Sequence, residues 1–306
     1  MGSLRKPLRI FAWVLEPETA ATMTTTLSQT RQSAPLPDYA LEMKHFHCAF
    51  AAELKGVIES LPLTPDMHVV DVGCGDGFYM ELFASHLNER GAVTGIDSNR
   101  AYLEIARKRL SAHKWLCDIS FINGCWDQSP LAASNADLVW SAQSLFSLPD
   151  PALALREMAE AVHPGGFVAV LENDTLHQLL LPWPAELELA VRTAELAYLS
   201  EEQPSRDKYY VGRRLPALFA EAGLDLLSVT MQSSTRQPPF GEHLTAFIQA
   251  YLNRLTQRVA GRLDRKSLRE LTRLTSPDSQ LHLLRQPNTT IGWLNSIAWG
   301  RRPANQ

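Results

Sequence analysis

Residues Val69-Val-Asp-Val-Gly-Cys-Gly-Asp-Gly77 carry the densest chemical signal in this chain. An apolar run ends in Asp71 and passes directly into Gly73, Gly75 and Gly77, and Phe78-Tyr-Met-Glu-Leu-Phe83 follows with helical spacing. A strand, a glycine loop and a helix start together present backbone amides and the positive end of a helix to a ligand. A dinucleotide loop of the form G-x-G-x-x-G needs its third glycine at the position of Phe78; here it comes one residue early, at Gly77. A second signal is Gly91-Ala-Val-Thr-Gly-Ile-Asp97, a short apolar strand with Asp97 at its carboxyl end, 20 residues after Gly77. A carboxylate there accepts hydrogen bonds from both hydroxyls of a ribose. It also suits the N-cap of the helix predicted from Asn99 to Leu110, and the two roles are compatible because Ser98 or Asn99 can supply the cap.

These residues need rigid elements behind them, and the hydrophobic pattern supplies them. Strand and helix alternate: 67–72, 78–89, 92–96, 99–112, 119–122, 137–141, 151–162 and 166–172. Such alternation predicts an α/β, doubly wound, mostly parallel sheet with right-handed crossovers and helices on both faces. Ligands then bind beyond the carboxyl ends of the strands, where the glycine loop, Asp97 and Cys125 fall. Ahead of this core, Tyr39 to Ser60 reads as one helix with an apolar stripe of Leu41, Phe46, Phe50, Leu54, Val57 and Ile58 and with Asp38 as N-cap. After it come helices at Ala185–Leu199, Leu215–Ala222, Glu242–Val259 and Asp264–Thr275, and strands at Leu224–Gln232 and Ile291–Gly300.

The pattern D-x-G-x-G-x-G at Asp71–Gly77, followed in order by Asp97, Gly124-Cys125-Trp126, Ser141 and Pro164-Gly-Gly166, resembles the class I S-adenosylmethionine-dependent methyltransferases. Late segments, including Asp174-Thr-Leu-His177, Pro182-Trp-Pro184 and Gly212-Arg-Arg-Leu-Pro216, are similar to bacterial small-molecule members of the family. The resemblance implies a seven-stranded sheet whose last strand is antiparallel, carried by a methyltransferase domain at 38–303. About 55 residues separate the sixth and seventh strands where the family has a short hairpin. Segments at about 173–210 and 236–288 are therefore expected as helical cap insertions that roof the strand ends. The cofactor implied is S-adenosyl-L-methionine, held by Asp71, Gly73, Gly75, Gly77, Asp97, Ser98, Cys125, Trp126 and Ser141. Cys125 and Trp126 depart from the family's usual Gly-Asp-Ala, whose aspartate holds the adenine amino group. The backbone amide and indole of Trp126, or the carboxylate of Asp127, are the substitutes available.

Composition narrows the alternatives. Net charge is −4 at pI about 6.1, and the basic run Arg262–Arg273 contains Asp264 and Glu270, so no electrostatic footprint for nucleic acid is expected. The four cysteines, at 48, 74, 117 and 125, form no C-x-x-C pair and no zinc spacing with histidine, so no metal is expected. Free thiols at such positions fit a reducing, cytoplasmic setting. No stretch reaches membrane-spanning length. The six apolar residues Ile10–Leu15 are too few for a signal peptide, and residues 1–37 read as a disordered N-terminal extension, with Met23 a possible start.

For chemistry, the candidate proton acceptors are His45, His47, Glu172, Asp174 and His177, with His177 favoured by its place just past the fifth strand. Tyr39, His47, Asp174 and Tyr210 are candidates to touch substrate, with Tyr209 as a further lining residue. The fourth strand is followed by Ser141-Ala-Gln143-Ser144, not by the Asn-Pro-Pro-Tyr that accompanies amino methylation of bases or glutamine. The expected reaction is methyl transfer to a small organic acceptor such as a secondary metabolite, a quinone-like ring or a lipid-like molecule, beneath Trp183, Leu187, Phe240, Phe247 and Tyr251. A family relative that binds cofactor without turnover, and a nicotinamide-dependent oxidoreductase, are the alternatives. The cap helices also suit a homodimer contact.

Overall fold

The computed structural model describes residues 35–124, 135–148, 150–202 and 207–304. Cys125 and Trp126 lie outside the described residues, as does nearly all of the expected N-terminal extension. The element order is α1 (Ala40–Ala49), α2 (Ala51–Glu59), β1 (His68–Val72), α3 (Phe78–Ala84), β2 (Ala92–Asp97), α4 (Arg100–Ser111), β3 (Asp118–Asn123), β4 (Ala136–Ala142), α5 (Pro151–Ala161), β5 (Val162–Glu172), β6 (Leu179–Leu180), α6 (Ala185–Glu202), α7 (Val211–Glu221), β7 (Asp225–Arg236), α8 (Glu242–Val259), α9 (Arg265–Thr275) and β8 (Ile291–Arg301).

The sheet runs β3-β2-β1-β4-β5-β8, with β7 on the far edge of β8. The first five strands pair in parallel, and β8 is antiparallel to both β5 and β7. Parallel pairing goes with burial on both faces: in β1 only His68 is less than buried. The two-residue strand β6 also pairs with β8, at Leu179↔Trp293 and Leu180↔Gly292, continuing the line of β5. It makes the sheet eight-stranded where seven strands were expected. Its brevity hid it, since two residues carry no periodicity.

One apolar core lies under α2, α3, α6, α8 and α9, and a second lies under α5 and α7 on the opposite face. α8 packs on α1, α6 and α9.

The expected single helix at 39–60 is two helices. Phe50 leaves helical geometry (φ −118°, ψ 17°) and enters an aromatic cluster with Phe46, Phe247 and Trp293, at ring-centroid distances of 5.2, 6.1 and 5.8 Å. The Phe50 amide still donates to the Phe46 carbonyl and its carbonyl still accepts from Leu54 (3.0 Å each), so the break is a bend that seats the ring in this cluster. Leu41, assigned to the apolar stripe, is 64% exposed. Asp38 does not cap: Tyr39 holds that position without a side-chain bond, and the Ala40 amide donates to the Pro37 carbonyl (2.9 Å). By contrast Asn99, Asp150 and Asp264 each cap their helices by accepting two backbone amides. Among the described residues no helix is long and apolar enough to cross a membrane.

Candidate functional site

β1 delivers Asp71 and Val72 to the strand tips, and the chain turns away through three left-handed glycines: Gly73 (φ +75°), Gly75 (φ +51°) and Gly77 (φ +79°). Their surroundings differ. A Cβ on Gly73 would stand 2.4 Å from Ser144 Oγ, so this glycine lets the loop after β4 approach. One on Gly77 would stand 2.9 Å from Ala106 Cβ, so that glycine serves the packing of α3 on α4 and does not line the cavity. Gly75 meets nothing closer than 4.0 Å. It opens onto space.

That space is a cavity of about 590 Å³. Of the candidate site residues, Gly73, Gly75, Asp97, Ser98, Tyr39 and His47 line it. Asp97 sits at the tip of β2, with Oδ2 accepting from the Gly75 amide (2.9 Å) and Oδ1 from the Asn99 amide (2.8 Å). Burial pushes its pKa up while the two amides pull it back. A carboxylate has about four acceptor positions, so two remain for hydroxyls of a ligand. Tyr39 and Tyr102 flank it, their ring centroids 6.5 Å apart. Burial and then the Asp97 charge push the Tyr39 hydroxyl up to about 12.

Several buried polar atoms at the strand tips have no partner among the described residues: Asp71 Oδ2, Tyr79 OH and Gln143 Oε1. Tyr79 and Gln143 line the cavity directly. Orphaned groups of this kind are costly unless a ligand or water completes them. Together with the open face at Gly75 and the acceptor capacity of Asp97, Tyr79 and Gln143 fit a polar, amine-bearing nucleoside such as S-adenosylmethionine. Asp71 and Ser141 are buried one residue deeper than the lining Val72 and Ala142, so they support the floor. Gln143 holds a left-handed conformation (φ 51°) that is strained for a residue with a Cβ, and its amide donates to the Leu171 carbonyl (2.7 Å).

A second group of acids stiffens the loop. Asp76 takes Arg109 Nη2 at 2.6 Å and stands 3.5 Å from His47 Nδ1. Burial alone would push its carboxyl up, but His47 and Arg109 overcome this and hold it at about 2. The His47 ring stacks on Phe78 (4.3 Å, 9°). Glu172, considered as a base, is buried below the cavity: Oε1 accepts from the Leu145 amide (2.6 Å), which fixes the loop after β4. Burial raises its pKa to about 8 against the opposing backbone amides.

Asp174, His177 and Tyr210 do not line the cavity. Asp174 pairs with the Arg213 side chain and accepts the Arg213 amide (3.1 Å); Arg213 lies 4.1 Å over the Tyr210 ring, which in turn stacks on His177 (5.6 Å). This cluster pins the start of α7 to the chain leaving β5. The strand-end argument failed because the chain turns there: it is Thr175 and Gln178, flanking His177, that line the cavity. Sequence reasoning missed Glu42, Gln143, Asn173, Arg254 and Arg258. Only the α8 residues had a signal, the spacing of Phe247, Tyr251, Arg254 and Arg258 along one helical face. No group of three or more metal-ligating side chains occurs among the described residues.

The sheet order, the glycine loop and the acid on β2 define a nucleoside-binding class I methyltransferase fold. The family model described as a methyltransferase domain matches residues 63–222, more than half of the chain. The chain belongs to that family, whose cofactor is S-adenosylmethionine. Among its relatives, methyltransferase GfsG of Streptomyces halstedii is 30% identical over 193 residues, covering 62% of this chain and 64% of that protein. A demethylmenaquinone methyltransferase of Staphylococcus aureus is 28% identical over 119 residues, covering 39% and 48%. The chain thus spans about half to just under two thirds of these relatives' lengths. A solved structure of a candidate methyltransferase from Bacillus halodurans superposes with a TM-score of 0.52 at 16% identity, covering 82% of this chain and 99% of that one, which shows the shared fold.

Proposed function

We propose that this protein transfers a methyl group from S-adenosylmethionine to a small, largely apolar, ring-bearing acceptor enclosed between the strand tips and a helical cap. One observation carries this reading: a single cavity joins Gly75 and Asp97 to a roof of Phe46, Phe247, Tyr251 and Trp293. Those four residues come from α1, α8 and β8, and we read the segments around α6, α8 and α9 as the cap that excludes water. The demethylmenaquinone specificity named for one relative supports a fused-ring acceptor.

When bound, the sulfonium cofactor supplies an activated methyl carbon, and the protein supplies orientation and charge. Asp97 holds the ribose hydroxyls, and Tyr39 and Tyr102 flank the nucleoside. Gly75, lacking a side chain, leaves the cavity wall open for the ligand to lie against the loop. His47, held by its stack on Phe78 and lying beside the Asp76 carboxylate, takes the proton of an acceptor hydroxyl on Nε2 and so replaces His177 in that role. The buried free thiols of Cys74 and Cys117 support a reducing, cytoplasmic setting.

The test is calorimetry with S-adenosylhomocysteine, followed by transfer of labelled methyl to a panel of naphthols and hydroquinones. Binding in the micromolar range with label in at least one ring acceptor is expected. No binding at millimolar S-adenosylhomocysteine sinks the reading.

A further inference from the structure

Among its aromatic walls the cavity contains two guanidinium groups, Arg254 and Arg258, one turn apart on α8 and in line with Phe247 and Tyr251. Their partners are unequal. Arg254 holds the buried Glu42 of α1 in a fork, with N–O distances of 2.5 and 2.6 Å. Arg258 has no such fork. Its nearest carboxylate is Glu195, 3.6 Å from Nη1 and outside good hydrogen-bond reach. That same carboxylate is already bonded by Arg192 Nη1 at 2.9 Å. Arg258 Nε is buried with no partner among the described residues. The side chain of Arg258 is only 11% exposed.

A buried cation with an unfilled donor is costly, because the desolvation of the guanidinium is not repaid. The like charge of Arg254 adds to that cost: burial and then Arg254 lower the Arg258 pKa, against a pull upward from Glu195. A planar oxyanion in the cavity would take guanidinium donors that Glu195 leaves unfilled, the recognition for which the planar fork is built.

We propose that Arg258, with Arg254 beside it, binds a carboxylate carried by the acceptor, so that the substrate is an aromatic or apolar acid and not a neutral ring. This rests on the methyl-transfer reading and adds the class of acceptor to it. The probes are 6-hydroxy-2-naphthoate and 2-naphthol, which share a ring and a nucleophilic hydroxyl and differ in the carboxylate. Calorimetry is run on the full chain saturated with S-adenosylhomocysteine, for wild type, Arg258→Gln and Arg254→Gln.

Wild type is expected to bind the naphthoate at least about tenfold more tightly than the naphthol, as one charge-assisted hydrogen bond supplies. Arg258→Gln should reduce that ratio to within about threefold while leaving S-adenosylhomocysteine and 2-naphthol unchanged. Equal affinities for the two probes in wild type, or binding of neither, overturns the subsite even if Arg258→Gln does not fold. So does an Arg258→Gln protein that keeps the preference. Weakened S-adenosylhomocysteine binding in Arg258→Gln also overturns it, assigning the guanidinium to the cofactor's own carboxylate. Failure of wild type to bind S-adenosylhomocysteine at all is a failure of the methyl-transfer reading itself, and is read out separately before any probe is added.

Discussion

The Gly75 amide donates to Asp97 Oδ2 across 2.9 Å, tying the glycine loop after β1 to the acid at the tip of β2. The two motifs thus form one structure, in which the loop amide helps to orient the carboxylate. Asp97→Ala removes both the proposed ribose acceptor and the tether of the loop. S-adenosylhomocysteine affinity should fall by about 2–3 kcal/mol, on the scale of hydrogen bonds to a charged acceptor. Asp97→Asn should be intermediate, since it keeps one acceptor oxygen and sets an NH₂ against an N–H donor. Calorimetry measures both, and wild-type affinity in Asp97→Ala removes the ribose assignment.

Gly75 and Gly77 both hold positive φ, yet their replacement should fail in different ways. Gly77→Ala drives a Cβ to 2.9 Å from Ala106 and 3.0 Å from Leu110, on top of a left-handed backbone. Overpacking of this kind costs roughly 1–3 kcal/mol, so the expected effect is a lowered melting temperature. Gly75→Val places its side chain in open space at the cavity wall, so it pays only the backbone strain and blocks the ligand. Cofactor binding should be lost, with a melting temperature lowered by the strain alone and by less than in Gly77→Ala, which carries strain and overpacking together. Melting curves and calorimetry on the two variants separate the effects; identical behaviour would mean that the two glycines share one role.

The core of this site was legible because it is local. Strand, glycine loop, helix and the acid on β2 are contiguous in sequence, and their spacing reports their chemistry directly. Glu42 and Arg254, 212 positions apart, meet only because α1 packs on α8, and no local pattern encodes that pairing. The split at Phe50 has the same origin: its periodicity is helical, and only the distant Phe247 and Trp293 explain the break. His177 shows the opposite error. Nearness to a strand end in sequence does not fix which side chains of a turn reach the cavity.

His47 and His177 exchange the roles that chain position suggests. His47 lines the cavity beside Asp76, whereas His177 is outside it in the cluster with Tyr210. His47→Ala should lower the methyl-transfer kcat on a naphthol acceptor about 100-fold, the usual scale for a lost proton acceptor. S-adenosylhomocysteine affinity should not change. Asp76→Asn should reproduce part of the loss, because the ring loses the carboxylate beside it. His177→Ala should leave the rate within about twofold. A fall with His177→Ala and none with His47→Ala would restore the assignment made from sequence.

Glu172 gives the fold a pH dependence whose sign follows from its burial. Its pKa is about 8 in the folded chain and near 4.5 when exposed. Between those values the folded state keeps a proton that the unfolded state releases, so stability falls as pH rises. The slope from this one group approaches about 1.4 kcal/mol per pH unit in the middle of the window. Below pH 4.5 the contribution is complete, and it is lost by the time pH has passed through 8. Asp71, also raised by burial and by the charges of Asp97 and Asp76, acts in the same direction. Glu172→Gln removes the titration but keeps an oxygen to accept the Leu145 amide. Its urea midpoint should therefore decline less between pH 5 and pH 8.5 than that of wild type, with the variant gaining relative stability at the alkaline end. Parallel profiles would mean that Glu172 is ionised in the folded protein throughout that range.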